Sequence, residues 1–407
     1  LVRRAIPRPD LAAVRAAAAR RGWLVESPEA LRAGIGGPLA ALELPAGTRR
    51  SATEVLGGFD LAGDDGPAGS GVVGFGALPF DPTGAGRLDV PEGLVTVTAE
   101  GSWLTSSEGV DPLAELRSES PATQEPVGLR SVTYQPTAEE YAHQVALAVE
   151  ILRRKEIDKV VLARAVHGTL SEDVDIAAVA ARLRAREPIC TVYALPTADG
   201  RRFVGASPEL LVRRSGDEVA CHPLAGTISL PANADPNDYE AWLLGSAKNL
   251  HEHAVVVDEI VSLLAADYDD LSADATPSIV ALRSVAHLGS WVVGRRRDGG
   301  AAPDALALLR VLHPTAAVGG LPRTAALDLI ARLEDHDRGC FAGPVGWADA
   351  QGDGEWWIGL RGVLVAGLAF EAWAGAGIVS ESDPVAEREE TRDKLAVVLS
   401  ALLADRV

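Results

Sequence analysis

A chain of 407 residues can bury a large core, and 47% hydrophobic with 23% charged residues is typical of a globular protein. The formal net charge of −19 argues against nucleic acid or an anionic membrane surface as a partner. An anionic ligand would need a local cation, because the overall field of the protein repels it.

The first 120 residues predict a mixed set of short elements. The Ala- and Arg-rich stretch 10–21 is typical of a helix. Apolar runs predict three strands, at 39–44, 72–78 and 93–99. A loop rich in Pro and Gly occupies 79–86, and a stretch of Ser, Pro, Thr, Gln and Glu over 118–126 indicates a linker.

The second part opens on a well-marked helix, because Thr137 and Glu140 have the spacing of a capping box. A strand rich in β-branched residues follows at 159–166. Further strands are predicted at 192–194, 202–206, 210–213, 219–223, 343–348, 355–365 and 369–374, and further helices at 237–264, 302–312, 323–333 and 384–403. Gly352-Asp353-Gly354 predicts a hairpin turn. Many strands without regular alternation with helices favour an α+β protein with antiparallel sheets.

The cysteines and the apolar segments favour a cytoplasmic protein. Cys190, Cys221 and Cys340 are widely spaced and form no CxxC motif, so we expect buried thiols in a reducing compartment. The first residues lack the apolar segment of a secretory signal. The nearly uncharged run 362–380 contains Glu371 and four glycines, which favours two strands and a turn over a membrane span.

A glycine motif at Gly69, Gly71 and Gly74 has the spacing of a dinucleotide-binding fingerprint. The motif needs a helix directly after it, and no helix can continue into Leu78-Pro79. We therefore predict glycines in a bent strand and no nucleotide site.

Two separate segments carry acidic residues that could hold a metal ion. On a helix Glu387, Glu390 and Lys394 would share one face. Oxygen ligands of this kind suit Mg²⁺, with the lysine beside it as an anion contact. In His251-Glu252-His253 the two histidines would point to different faces of a helix, which disfavours zinc. Glu252 is then either a third acidic residue of the site or a surface charge.

Two further ionisable residues are candidates for acid–base work. Lys159 opens an apolar strand and is either a solvated strand end or a lysine drawn into a dry pocket, where its pKa would fall and it could act as a base. Glu209 lies at a turn between two predicted strands, where it is either solvated or directed into a cleft as an acid.

Two features of the last strands suggest anion binding. Arg361 is expected in the middle of an apolar strand and needs an anionic partner, which could be a structural carboxylate or a substrate. The run 374–378 contains Gly375 and Gly377, whose backbone N–H groups are unshielded and would suit an anion.

Taken together, these residues resemble the chorismate-utilising enzymes, the superfamily of isochorismate, salicylate and anthranilate synthases. The matching segments, in family order, are KVVLARAV (159–166), FVGASPELLVR (203–213), HPLAGT (222–227), SAKNLHEH (246–253), VAHLGS (285–290), LHPTAAVGGLP (312–322), DRGCFAGPVGW (337–347), GEWWIGLR (354–361), AGAGIVSESDP (374–384) and EREETRDKL (387–395). The resemblance implies an anthranilate synthase component I-like fold, with two stacked antiparallel sheets flanked by helices. Residues 130–407 would form the chorismate-binding region, and 1–120 a divergent N-terminal part packed into the same fold.

The resemblance also implies a role for each candidate residue. Lys159 matches the general base that activates water for attack at C2 of chorismate, and Glu209 the acid that protonates the departing C4 hydroxyl. The acidic positions around Mg²⁺ are matched by Glu252, Glu387 and Glu390. Contacts to the enolpyruvyl carboxylate are matched by Arg361, Gly375 and Lys394, and the pocket near the ring by Gly226, Thr227 and His287.

Particular residues discriminate within the superfamily. Enzymes of the superfamily that deliver ammonia to C2 generally lack a lysine at the position of Lys159. The presence of Lys159 therefore disfavours anthranilate synthase. Ala225 stands where aminodeoxychorismate synthases carry a nucleophilic lysine. The segments around 313–320 and 354–356 resemble isochorismate synthases more than salicylate synthases, although Ile228, Ala316 and Cys340-Phe341 depart from common family residues.

We therefore expect a cytoplasmic, Mg²⁺-dependent isochorismate synthase of menaquinone or siderophore biosynthesis. The expected partner is chorismate, with neither nucleic acid nor membrane, and the chain is expected to be a monomer or a weak homodimer. The first alternative is a salicylate synthase, in which the same site goes on to eliminate pyruvate. The second is a non-catalytic paralogue that binds chorismate-like acids, which the presence of both Lys159 and Glu209 disfavours.

Overall fold

A computed structural model describes residues 1–230, 236–297 and 303–404. The helices within these residues are α1 (Leu11–Arg21), α2 (Ala52–Leu56), α3 (Ala138–Leu152), α4 (Ile176–Arg186), α5 (Pro236–Leu244), α6 (Ala247–Leu264), α7 (Ala305–Leu312), α8 (Arg323–Leu333) and α9 (Pro384–Leu402). The strands up to residue 230 are β1 (Val2–Ala5), β2 (Trp23–Glu26), β3 (Leu31–Leu44), β4 (Ala62–Gly63), β5 (Val73–Ala77), β6 (Gly86–Val97), β7 (Ser102–Ser106), β8 (Leu129–Gln135), β9 (Lys159–Leu170), β10 (Thr191–Pro196), β11 (Arg202–Ser207), β12 (Leu210–Ser215), β13 (Glu218–His222) and β14 (Leu224–Ser229). The later strands are β15 (Tyr268–Ala273), β16 (Ser278–Ala281), β17 (Val285–Gly289), β18 (Val292–Arg296), β19 (Gly320–Leu321), β20 (Pro344–Asp349), β21 (Gly354–Ile358), β22 (Gly362–Ala366) and β23 (Ala369–Ile378).

Most strands belong to one hydrogen-bonded network. Its main path is antiparallel throughout and runs β8–β9–β23–β22–β11–β10–β2–β3–β6–β5–β20–β21–β12–β13–β18–β15. The path turns back on itself, so that β10 packs against β5 and β20. Buried aromatic residues such as Tyr193, Phe75 and Trp347 fill the space between the two layers. The predicted α+β fold with two stacked antiparallel sheets is therefore confirmed, with the sheets joined through β2, β3 and β6.

A smaller antiparallel sheet, β14–β17–β16, stands apart from this network. Helix α6 packs against β14 and β17, and α9 packs against β23 and α3. These two helices enclose the region where β9 and β23 lie side by side. The acidic segments predicted to form a metal site are thus brought to the same strands.

Several local predictions are confirmed. Helix α3 begins at a capping box in which Thr137 and Glu140 bond each other's backbone N–H groups. The turn at Gly352-Asp353-Gly354 joins β20 to β21. The prediction of glycines in a bent strand is correct only for Gly74, because Gly69 and Gly71 lie in the turn and bend that precede β5. No described helix has the length and apolar character needed to cross a membrane. All three cysteines are free, but only Cys190 and Cys221 are buried, whereas Cys340 is partly exposed.

The prediction of one helix over 237–264 was wrong, because the chain breaks between α5 and α6. Helix α5 ends at Leu244, and Gly245 follows, a residue that favours helix ends. The Ser246 side chain then accepts a hydrogen bond from the Asn249 N–H and so begins a new helix. The Gly-Ser pair was the signal for this break.

The prediction of one strand over 355–365 was also wrong. Strand β21 ends at Ile358 and β22 begins at Gly362, so Arg361 lies in the break with φ +48. That left-handed conformation is costly for a residue with a Cβ, and such strain is typical of functional sites. Because Arg361 lies between two strands, the alternation of side chains in a strand does not fix the direction of its side chain.

The first half of β9 is braced by a buried ion pair. Arg338 Nη2 lies 2.5 Å from Glu334 Oε1, and both side chains are 2% exposed. Glu334 accepts the Ala163 N–H, and Arg338 donates to the Val161 carbonyl. The pair thereby satisfies backbone groups of the strand that carries Lys159.

Replacing Arg338 by alanine should lower the free energy of unfolding by about 3–5 kcal/mol, because Glu334 would remain as an unpaired buried charge. Urea unfolding measures the loss, with Arg332→Ala, an exposed arginine near the end of α8, as the matched control. A loss below about 1 kcal/mol, typical of a surface pair, would contradict the bracing role.

Candidate active site

One cleft between α6, α9 and the ends of β9, β23 and β12 collects most of the predicted site residues. Its lining includes Glu209, Thr227, Glu252, His287, Arg361, Gly375, Glu390 and Lys394. The remaining predicted residues, Lys159, Gly226 and Glu387, lie next to lining residues, as the contacts below describe. The structure therefore brings all of the predicted residues together.

Lys159 is a buried residue and not a solvated strand end. It is the first residue of β9 and is 1% exposed. Its Nζ lies 3.0 Å from Glu252 Oε1, and that carboxylate is also buried. Burial acts to raise the pKa of Glu252, but the nearby Lys159, Lys248 and Lys394 outweigh it and lower the pKa.

Glu209 lies in the turn between β11 and β12, as predicted, and is directed inward with 4% exposure. Burial raises the pKa of Glu209 to about 7, against the opposing effects of Lys159 and a hydrogen bond from the Leu224 N–H. A carboxyl with this pKa keeps its proton to near neutral pH and can act as a general acid.

Three carboxylates of the site are each held by a lysine. The pairs are Glu252 with Lys159 at 3.0 Å, Glu387 with Lys248 at 2.7 Å, and Glu390 with Lys394 at 2.6 Å. The sequence contains only four lysines, and the fourth, Lys155, is exposed after α3. Three of the four lysines in this chain therefore lie in one site.

Glu390 acts on its neighbour Glu387 on α9, and all three carboxylates act on Lys248. Burial and the neighbouring Glu390 raise the pKa of Glu387. Burial acts to lower the pKa of Lys248, but Glu387, Glu252 and Glu390 together raise it, so one ammonium group faces all three carboxylates.

The donor set fits a hard divalent cation in its chemistry, because it consists of carboxylate oxygens. Within the described part of the chain, no three acidic, histidine or cysteine side chains are close enough to hold a metal as they stand. Each of these carboxylates is paired with a lysine, so a cation would have to replace an ammonium group.

The histidines beside Glu252 do not contribute to the cleft lining. His251 is exposed, and His253 is buried with its Nε2 2.8 Å from the Ser290 hydroxyl. Burial and the nearby Lys159 lower the pKa of His253 to about 4. Glu252 alone faces the cleft, as the spacing on the helix predicted.

Arg361 is a buried cation that forms no ion pair among the described residues, although its charge acts to lower the pKa of two buried carboxyls, Glu187 and Glu209. Its Nη2 donates to Nε2 of His287 at 2.7 Å, and its Nη1 is buried without a hydrogen-bond partner. Burial and the adjacent Arg361 lower the pKa of His287 far below its usual range, so the ring is neutral and accepts this bond. His287 Nδ1 lies 3.0 Å from the Thr227 hydroxyl, on the facing strand of the small sheet.

The unpaired Nη1 favours the second interpretation of Arg361, contact with a substrate carboxylate. No structural carboxylate forms an ion pair with Arg361 in the described structure, and an incompletely paired buried cation is costly. Arg361 therefore has a free donor for the carboxylate of a ligand.

The glycines of β23 lie beside β9, where Gly375 is opposite Ala163 and Gly377 is opposite Val161. The N–H groups of Ala163 and Val161 donate elsewhere, to Glu334 and to the Gly319 carbonyl. The Gly375 carbonyl accepts a hydrogen bond from Lys394 at 3.0 Å, so the N–H of Gly375 points to the same side as the cleft. A Cβ on Gly377 would lie 2.3 Å from Glu252 Oε1. Gly377 thus makes room for the Lys159–Glu252 pair.

Sequence reasoning missed one residue of the site, Lys248, and did not foresee the packing role of Gly377. Lys248 lies one helical turn before Glu252, and a basic residue four positions before an acidic one was the available signal. The sequence predicted that the Gly377 N–H binds an anion. The structure shows that Gly377 also leaves space for Glu252 of α6. Gly226 was predicted, and its φ of +71 forms the bulge that sets Thr227 opposite His287.

Comparison with known proteins identifies the family of the chain. The model of the chorismate binding enzyme family matches residues 64–403. The chain belongs to this family. Isochorismate synthase EntC of Escherichia coli is 34% identical over 330 residues, which cover 80% of each chain. The vibriobactin-specific isochorismate synthase of Vibrio cholerae is 34% identical, covering 80% of this chain and 78% of its own.

Solved structures share the fold over nearly the whole chain. MenF, the menaquinone-specific isochorismate synthase of E. coli, has a TM-score of 0.79 at 25% identity and covers 98% of this chain and 94% of its own. Anthranilate synthase component I of Streptococcus pneumoniae has a TM-score of 0.74 at 21% identity, covering 91% and 92%. The predicted superfamily and the anthranilate synthase component I-like fold are thus confirmed, and the chain is an enzyme of the family.

The pKa of Glu209 should make stability depend on pH. An unfolded glutamate loses its proton near pH 4.5, whereas Glu209 keeps it to about pH 7 in the folded protein. This contribution to stability is fully present below about pH 4.5 and is lost as the pH rises through about 7. Relative to wild type, Glu209→Gln should therefore gain about 3 kcal/mol of unfolding free energy between pH 4.5 and pH 8.

Urea unfolding at several pH values measures this difference, with exposed Glu100→Gln as the control. Parallel stability curves for wild type and Glu209→Gln would show that Glu209 is ionised in the folded protein at pH 5.

Proposed function

We propose that the protein is a Mg²⁺-dependent isochorismate synthase, which converts chorismate to isochorismate and back. The observation that carries the proposal is the presence of a buried amine, Lys159, and a carboxyl with a pKa near 7, Glu209, at one cleft. The full-length similarity to isochorismate synthases supports it. The reaction adds water at C2 and removes the C4 hydroxyl as water, so that the product is an isomer of the substrate.

Lys159 is the residue to take a proton from the attacking water. It enters the site from the start of β9 and lies next to Glu252 in the cleft wall. Lysine at this position distinguishes the chain from relatives that deliver ammonia. Glu209 is the residue to protonate the leaving hydroxyl, and its raised pKa means that the proton is still available near pH 7.

The positive groups of the cleft provide the binding of a dianion. Arg361 Nη1 and Lys394 are the donors for the enolpyruvyl carboxylate, and the Gly375 N–H lies on the same side. His287 is neutral and bonded to Arg361, so it orients the guanidinium without adding a charge. These local cations offset the repulsion from the net charge of −19.

Glu252, Glu387 and Glu390 would hold Mg²⁺. When bound, the ion would supply positive charge for the ring carboxylate of chorismate. The donor chemistry of the three carboxylates and their common influence on Lys248 support this assignment.

Incubation of the protein with chorismate and Mg²⁺ should yield isochorismate, and EDTA should stop the conversion. Chromatography of the products over a long incubation checks the outcome. Accumulation of salicylate and pyruvate without a partner lyase would replace the proposal with a salicylate synthase, and binding of chorismate without turnover would indicate the non-catalytic paralogue.

Lys159→Ala should reduce kcat by at least about a hundredfold, because the general base is lost. Chorismate binding in the presence of Mg²⁺, measured by calorimetry, should be largely retained and shows that the variant is folded. Lys155→Ala, which removes the exposed lysine, is the matched control. Turnover near the wild-type rate in Lys159→Ala would reject the assignment of the base.

A further inference from the structure

Lys248 is the one lysine of the site to which the proposed reaction gives no role. Its Nζ lies 2.7 Å from Glu387 Oε1, and Glu387 is 3% exposed in its side chain. The ammonium group also faces Glu252, one turn along the same helix, and Glu390 on α9. It therefore stands where three carboxylates need a positive charge.

Each carboxylate of the proposed ion site already has a lysine partner. Glu252 pairs with Lys159, Glu387 with Lys248 and Glu390 with Lys394. A divalent cation added to these pairs would place further positive charge beside the lysines in a buried place, which is costly. One ammonium group must leave, or anions must enter, when a cation binds.

Lys248 is the ammonium group that can leave at least cost. Its side chain is 33% exposed, whereas that of Lys159 is 2% exposed. Lys394 is 19% exposed and is held twice, by Glu390 and by the Gly375 carbonyl. A long lysine side chain at the rim can move its charge into water while its aliphatic part stays packed.

We propose that Lys248 is a built-in substitute for the metal ion, which neutralises Glu387 and its neighbours in the empty site and is displaced to solvent when the divalent cation binds. This inference rests on the proposed Mg²⁺ site and adds a competitor to it. Lys248 thereby keeps the empty cleft folded and lowers the affinity of the site for its ion.

Calorimetric titration of the protein with MgCl₂ alone, without chorismate, tests the competition. Lys248→Met keeps the length of the side chain and removes its charge, so Mg²⁺ should bind about tenfold more tightly, equivalent to about 1.4 kcal/mol. Lys248→Arg keeps the charge and pairs more strongly with a carboxylate, so Mg²⁺ should bind several-fold more weakly. Lys155→Met is the matched control and should leave the Kd unchanged.

Thermal unfolding gives a second measurement that does not depend on activity. In EDTA, Lys248→Met should have a lower Tm than wild type, because Glu387 and Glu390 lose their counter-charge. The same variant should gain more in Tm than wild type when Mg²⁺ is added, since tighter binding stabilises the folded state more.

The outcomes separate this inference from the proposed function. If wild type binds Mg²⁺ and makes isochorismate but Lys248→Met has an equal or weaker affinity for the ion, the inference about Lys248 is wrong and the function stands. An affinity of Lys248→Arg above that of wild type would also overturn it. If wild type shows neither heat of binding nor a Tm shift with Mg²⁺, the proposed metal site itself is wrong.

Discussion

The pairing of charges inside the cleft is the constraint on which the rest of the structure depends. A buried carboxylate or ammonium group is tolerated only beside an opposite charge. Lys159 comes from a strand, Glu252 and Lys248 from α6, and Glu390 and Lys394 from α9. These elements are more than 200 residues apart at the extremes, so satisfying the charges requires the stacked sheets and both helices to be in place. Fold and site are therefore specified by the same contacts.

Arg361 departs from this rule, and the departure is informative. It is buried, has a left-handed backbone, and is bonded to a neutral histidine instead of a carboxylate. The protein bears the cost of a strained and incompletely neutralised cation where a ligand carboxylate would remove it. The carboxylates on α6 and α9 each have a lysine partner, whereas Arg361 Nη1 has no hydrogen-bond partner. The cleft thus combines paired charges with one N–H donor that is available to a ligand.

Much of the fold and site could be predicted from local sequence signals. The capping box at Thr137 and the start of β9 were predicted from residues adjacent in the sequence, and both are confirmed. The face shared by Glu387, Glu390 and Lys394 follows from helical periodicity alone. The grouping of distant segments came from the order of ten family motifs, because no pattern within one segment reveals which other segment it meets.

The features that escaped prediction depend on contacts between segments. Strands β15 and β16 are largely exposed, so they lack the alternation of apolar and polar residues that marks a strand. Gly377 is explained by the approach of Glu252 and cannot be understood from its own neighbours. The break at Arg361 interrupts an apolar run that reads as continuous strand, and packing against the opposite layer overrides that local preference.

The place of the first 120 residues in the sheet has a consequence for any shortened form of the chain. Strands β2, β3, β6 and β5 join β10 to β20, although none of the proposed site residues lies on them. A fragment that began at residue 130 would lack β2, the partner of β10, and β5, the partner of β20. One edge of β10 and one edge of β20 would then have unpaired backbone N–H and C=O groups. Such edges invite pairing with other molecules, so the fragment would tend to aggregate. The first 120 residues, which carry none of the proposed site residues, therefore cover strand edges that would otherwise promote aggregation.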